Sequence, residues 1–195
     1  MLYFKSIRWK NLLSTGNQFT EIQLDKISTT LIVGENGSGK STVLDALCFG
    51  LFSKPFRRIN RPQLINSIND GGLLVEIDFE VGSKSYMVRR GIKKNIFEIF
   101  INGKRLNQDA KTADQQEYLE KTILKLNYKS FTQIVLLGAN HYIPFMQLKS
   151  TDRRTIIEDL LDIQIFSVMN GLLKYKISEN KDEAQNIEVN RKLTD

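Results

Sequence analysis

The sequence predicts an α/β fold organised around a phosphate-binding loop, continued by an antiparallel β meander and by the start of a coiled coil. Three observations carry this. Residues 34–42 read Gly-Glu-Asn-Gly-Ser-Gly-Lys-Ser-Thr and fill the pattern G-x-x-x-x-G-K-S/T with Gly34, Gly39, Lys40 and Ser41. Between residues 75 and 105, short runs alternate apolar with charged side chains and are separated by turn residues. From Leu173 onward, Ile177, Asn180, Ala184, Ile187 and Arg191 recur at spacings of four and three in an otherwise polar tail, a weak heptad.

The loop has the flanks its chemistry requires. Residues 29–33, Thr-Thr-Leu-Ile-Val, form a short apolar run that predicts a buried strand, and residues 43–52 have helical character. Asn36, Gly37, Ser38 and Gly39 line the loop, and the two glycines let successive backbone N–H groups and the helix N-terminus point at an anion. Lys40 reaches the β- and γ-phosphates as the catalytic cation. The Ser41 hydroxyl is a hard oxygen donor for magnesium, and Thr42 hydrogen-bonds further back on the phosphate chain.

Composition narrows the class. With 195 residues, 41% hydrophobic and 26% charged, the chain has enough material for about one domain and a small appendage. No apolar run approaches the about eighteen residues that cross a bilayer, and no leader-like segment opens the chain, which predicts a soluble, cytoplasmic protein with no membrane partner. Cys48 is alone and His141 is the one histidine, so an internal disulfide and a histidine-rich metal site are both excluded. The formal net charge is +6. Lys54, Arg57, Arg58 and Arg61 follow the loop helix, while Lys84, Arg89, Arg90, Lys93, Lys94, Lys104 and Arg105 fall on the meander. A basic hairpin surface for nucleic-acid phosphates and an ordinary solvated sheet face account for them equally.

The remaining elements follow in order. Residues 2–9 and 17–25 read as strands joined through a Leu-Ser-Thr-Gly-Asn turn. Val75, Ile77, Phe79 and Val81 alternate with Glu76, Asp78 and Glu80, predicting a strand with one apolar and one acidic face. Residues 85–90 and 96–101 continue the meander, and Asn102 with Gly103 marks a tight hairpin before Lys104 and Arg105. Beyond Ala113, Leu119, Ile123 and Leu126 share a helix face. Residues 131–137 then read as a strand ending at Gly138, and Ser150 to Asp152 offers the cap of a helix carrying Ile156, Ile157, Leu160 and Leu161.

A phosphate-loop hydrolase also needs an apolar strand ending in Asp and a residue that orients water. Residues 73–78 hold the one candidate, but their acids alternate with apolar residues as on a one-sided sheet. No Ser-Gly-Gly segment is present, and residues 69–72, Asn-Asp-Gly-Gly, read as a turn. The phosphate-binding half of a site is therefore expected without its water-activating half.

Together these features resemble the N-terminal half of an ABC-type head of the SMC and SbcC class of DNA-repair ATPases. The resemblance is carried by Ile7, Arg8, Trp9, Lys10, Asn11, Leu12, Leu13 and Ser14, by residues 34–42 with 44–47, by residues 130–137 and by residues 145–148 and 153–161. It implies a lobe over residues 1–165 and the base of a coiled coil over 166–195, with ATP and Mg2+ as cofactors and Ser14 contacting the nucleotide. It implies as partners the chain's own C-terminal lobe, a second head, a metallo-phosphoesterase nuclease subunit and double-stranded DNA. ATPase activity would then appear only when the C-terminal lobe and second head complete the site. The family's glutamine, which contacts magnesium and the attacking water, has no match. Asn140 as a metal ligand, His141 as a catalytic group and the earlier Gln133 are its candidate replacements. A chromosome-organising SMC or RecN-like ATPase without a nuclease is the alternative reading.

Overall fold

Alternation is realised as expected over the meander. The structure is a computed structural model and describes residues 2–69, 71–93, 95–106, 112–136, 143–161 and 163–194. Strands β1 (Leu2–Lys10), β2 (Thr20–Gln23), β3 (Leu74–Val81), β4 (Lys84–Gly91), β5 (Phe97–Ile101) and β6 (Lys104–Arg105) form one six-stranded antiparallel sheet in the order β2-β1-β3-β4-β5-β6. The β5 to β6 hairpin turns at Asn102 and Gly103, both at positive φ, as a two-residue turn of the right twist demands.

Register sorts the two faces. Ile7, Ile77, Val88 and Ile99 stand opposite one another across four strands and are all buried. One residue along, Arg8, Glu76, Arg89 and Glu98 make the same crossing on the other face. Glu76 bonds both Arg8 and Arg89, Arg89 lies 3.4 Å from Glu98, and Arg105 lies 3.1 Å from Glu98. Three of the basic residues on this face are thus bound to carboxylates, and Arg90 faces the opposite way into the core.

Helix α1 (Thr42–Phe52) lies on the apolar face. A Cβ on Gly50 would come within 2.5 Å of Ile77 Cδ1 and 3.1 Å of Val75 Cγ1, so glycine sets the closeness of helix and sheet. Phe49 and Leu51 are fully buried there, each worth about 1.5–3 kcal/mol of apolar burial. Helix α2 (Thr112–Tyr118) runs into a π-helical segment (Leu119–Leu124), which Lys125 ends in the left-handed conformation. Leu119, Ile123 and Leu124 join the core, as does Phe131, whose ring stands 5.1 Å from that of Phe52.

Three expectations are corrected. Residues 29–33 form no strand: none of the six paired strands includes them, and Leu31, Ile32 and Val33 are 84%, 45% and 78% exposed. An extended segment becomes a strand only by pairing, and within the described residues no neighbour is offered. The expected strand at 131–137 is instead helix α3 (Tyr128–Ile134). Asn127 decides this locally, because its side-chain oxygen accepts from the backbone N–H groups of Lys129 and Ser130 at 2.9 and 3.0 Å and caps the helix. In the third case a helix does follow residue 150, α4 (Ser150–Leu160), but Lys149 holds the cap position and Ser150 already lies within the first turn.

Contacts divide the chain into Met1–Pro144 and Phe145–Asp195. The second unit contains α4 and the 31-residue α5 (Gln164–Thr194), which includes the expected coiled-coil positions. On α5, Phe166, Met169, Leu172, Leu173, Ile177 and Ile187 are all exposed.

Candidate phosphate-binding site

Gly34 opens the loop because a Cβ there would sit 2.7 Å from Ser38 Oγ. Gly37 and Gly39 have φ of +86° and +90°, the left-handed region that side chains oppose, and so the backbone can turn its amides inward. The loop closes on itself through Ser38 N–H to Glu35 O at 3.2 Å and Thr42 N–H to Gly39 O at 2.9 Å. Lys40 Nζ donates to Gly34 O and Glu35 O, both at 2.7 Å, which holds the ammonium over the loop. Ser41 is exposed at the N-cap of α1 and makes no capping hydrogen bond, so its hydroxyl is available to a ligand. Thr42 is 3% exposed and packs beneath the loop. Asn36 and Ser38 are exposed on its rim.

The helix behind the loop is anchored by an ion pair that sequence reasoning missed. Asp45, in the first turn of α1, is 1% exposed and accepts from Arg57 Nε and Nη2 at 2.7 Å and from the Arg57 backbone N–H at 3.1 Å. A carboxylate near a helix N-terminus is favoured by the dipole, and Arg57 satisfies both its oxygens, Oδ2 through the two guanidinium donors and Oδ1 through the backbone N–H. An Asp inside an otherwise apolar helix was the available signal. Cys48, one turn on, is fully buried, and its thiol pKa is pushed well up by burial first and by the Asp45 charge second.

Ser14 lies apart from the loop in sequence, on a turn at the end of β1, and is exposed. That turn is tightly determined. Asn11 and Leu13 are both left-handed, Asn66 N–H donates to Asn11 O at 3.0 Å, Asn66 Nδ2 donates to Thr15 O at 3.0 Å, and Asn69 Nδ2 donates to Asn11 Oδ1 at 2.9 Å. Leu13 N–H donates to Leu64 O at 2.7 Å. Positive φ at two non-glycine residues is affordable because so many bonds fix the turn. Asn140 and His141 lie outside the described residues. Gln133 lies on helix α3 and not on the strand expected over residues 131–137.

A family model described as "AAA domain" matches residues 6–195. The chain is 44% identical over 185 residues to exonuclease subunit 2 of Escherichia phage RB69, covering 95% of this chain and 33% of that protein. It is 26% identical over 189 residues to the DNA double-strand break repair Rad50 ATPase of Thermoplasma volcanium, covering 91% of this chain and 20% of that one. It therefore spans a third or less of the length of these relatives. Its fold is similar to that of the Smc head domain with an extended coiled coil from Pyrococcus furiosus, solved bound to the C-terminal domain of ScpA, with a TM-score of 0.64 at 19% identity over 97% of this chain and 49% of that one. Phosphate loop, meander and long terminal helix thus occur together, and the chain belongs to the AAA domain family, with the fold of the N-terminal lobe of an SMC-type head.

Proposed function

We propose that this chain is the ATP-binding part of a DNA-repair and recombination ATPase subunit that dimerises on ATP and regulates a partner nuclease on double-stranded DNA ends. The observation that carries this is a complete phosphate loop preceded by an exposed, unpaired apolar segment, Leu31, Ile32 and Val33. A strand from the chain's own C-terminal lobe would pair with that segment and bring the acidic strand end that residues 73–78 do not supply. The names of the relatives, an exonuclease subunit and a double-strand break repair ATPase, support the nuclease and DNA assignments.

The residues fit ATP and Mg2+. Left-handed Gly37 and Gly39 turn amides toward an anion, Lys40 supplies a cation, and the Ser41 hydroxyl is a hard donor with no capping bond to break. Bound Mg2+ would offset charge on the β- and γ-phosphates. The chain's own residues bind and orient: the loop amides fix the triphosphate, Lys40 exchanges its carbonyl contacts for phosphate oxygens, and Ser14 stands as a nucleotide contact from the β1 turn. Asn140 and His141 are proposed to replace the family's glutamine near the attacking water.

Two heads would each close over the other's ATP, so nucleotide binding is converted into dimerisation. The exposed apolar residues of α5 would take the returning helix of the coil, and a metallo-phosphoesterase nuclease would dock near its base. The test is light scattering of the full-length protein with ATP and Mg2+, together with co-purification of a nuclease through residues 150–195. ATP-dependent dimers that Lys40→Ala cannot form, and a captured nuclease, are expected. Dimers without any nuclease would favour the chromosome-organising alternative.

A further inference from the structure

The far end of the phosphate-loop helix is held in a way that nucleotide binding by the loop does not explain. Helix α1 has no basic residue in its last turn, so its final carbonyls and the negative end of its dipole need donors from elsewhere. Arg90 on β4 provides them. Its Nε donates to Gly50 O at 2.8 Å and its Nη2 to Leu51 O at 3.4 Å. The residue is 3% exposed, and its guanidinium carbon lies 3.7 Å from the centroid of the Phe97 ring.

Gln116 of α2 closes the knot. Its Oε1 accepts from Arg90 Nη2 at 2.5 Å, and its Nε2 donates to Leu51 O at 2.9 Å and to Glu120 Oε1 at 2.6 Å. The last bond crosses the junction between α2 and the π-helical segment. Burying a guanidinium is costly: desolvation first, and the nearby Arg61 charge second, pull the Arg90 pKa down to about 9, with Glu120 acting in the opposite sense. An apolar side chain in that place would avoid the cost but would leave the carbonyls of α1 without these donors.

We propose that Arg90 and Gln116 are positioning residues of the nucleotide site: they fix α1 along its axis and transmit phosphate binding at residues 34–42 to the α2 and π-helical segment. This rests on the nucleotide reading above. Helix α1 is a rod of about 16 Å, short enough to move as one body. Gly50 sits flush against Ile77 and Val75, which leaves the rod little room to tilt toward the sheet. A displacement at its N-terminal end is therefore delivered to Gly50 O and Leu51 O, and from there to Gln116. The receiving element is a π-helical turn, a backbone form with an α-helical alternative close by and frequent at functional sites.

The experiment uses the full-length protein with its partner subunit and compares Arg90→Lys, Gln116→Leu and Lys40→Ala with the unaltered chain. Thermal unfolding, the ATP dependence of ATPase rate, and amide hydrogen exchange of residues 112–134 with and without ATP and Mg2+ are measured. In the unaltered protein ATP slows exchange in 112–134. Both knot variants should remain folded, raise KM for ATP by about five-fold or more with kcat changed by less than about two-fold, and lose that ATP-dependent slowing. Gln116 is only half-buried, so Gln116→Leu decides the question if Arg90→Lys does not fold. A lower melting temperature with KM and the ATP-dependent exchange intact would make the knot a structural brace only and overturn the proposal. Slowing absent from an unaltered protein that binds ATP would overturn it too, whereas no ATP binding at all, matching Lys40→Ala, would instead overturn the nucleotide reading.

Discussion

Gly50 and Cys48 sit one turn or less apart on the phosphate-loop helix and report on its seating in different ways. A methyl group on Gly50 must displace Ile77, so Gly50→Ala is expected to cost about 1–3 kcal/mol despite its better helix propensity, read as a lower urea midpoint with unchanged slope. No loss of stability would mean that α1 does not lie this close to β3. The Cys48 thiol is held neutral by burial, and the thiolate is the form that alkylates. A raised folded-state pKa stabilises the fold fully below the ordinary thiol value, and that contribution is lost as pH rises through the folded value. Stability is therefore expected to decline above about pH 9, and Cys48→Ala to flatten that decline. At pH 8 alkylation should follow global unfolding, and rapid labelling of the folded protein would contradict the buried placement. The loop itself, Lys40 and Ser41 above all, was legible because the motif is local and every defined position is filled. Asp45 with Arg57, and Arg90 with Gln116, were not, since each pair is made by burial and by packing between elements that spacing does not encode.

The elements divide along the same line. Strands β3 to β6 could be read because a period of two and an Asn-Gly turn are properties of neighbouring residues. Residues 131–137 were misread because Phe, Thr, Ile and Val favour strands, whereas the Asn127 cap and the burial of Phe131 favour the helix that forms. Residues 29–33 are the instructive case. Their composition is right for a buried strand, yet pairing is a non-local requirement that the described residues do not meet. Leu31→Asp and Val33→Asp should therefore change the stability of this chain by no more than about 0.5 kcal/mol, as expected for exposed positions. The same changes should prevent this chain from assembling with the remainder of the protein, measured by co-purification. Marked destabilisation of the chain by itself would show that these side chains are already packed.

At the scale of the whole molecule, two features are unfinished in the same sense. The sheet-forming unit carries at residues 31–33 an apolar segment that pairs with no strand among the described residues, and α5 carries apolar residues into solvent over several turns. The relative from phage RB69 is about three times as long as this chain, and the second lobe and returning helix proposed above would cover both features. In the ladder from Arg8 to Arg105 the charges alternate in sign across the outer sheet face, and the arginines bound there contribute less free charge than their number suggests. The central claim is that this chain supplies the phosphate-binding part of an ATPase site whose turnover needs the proposed C-terminal lobe. ATP turnover of the chain alone, and of the chain mixed with the remaining part of the protein, tests it most directly. The account expects no turnover alone and turnover in the mixture that Lys40→Ala abolishes; full turnover by the chain alone, or a mixture no more active than its Lys40→Ala counterpart, would contradict it.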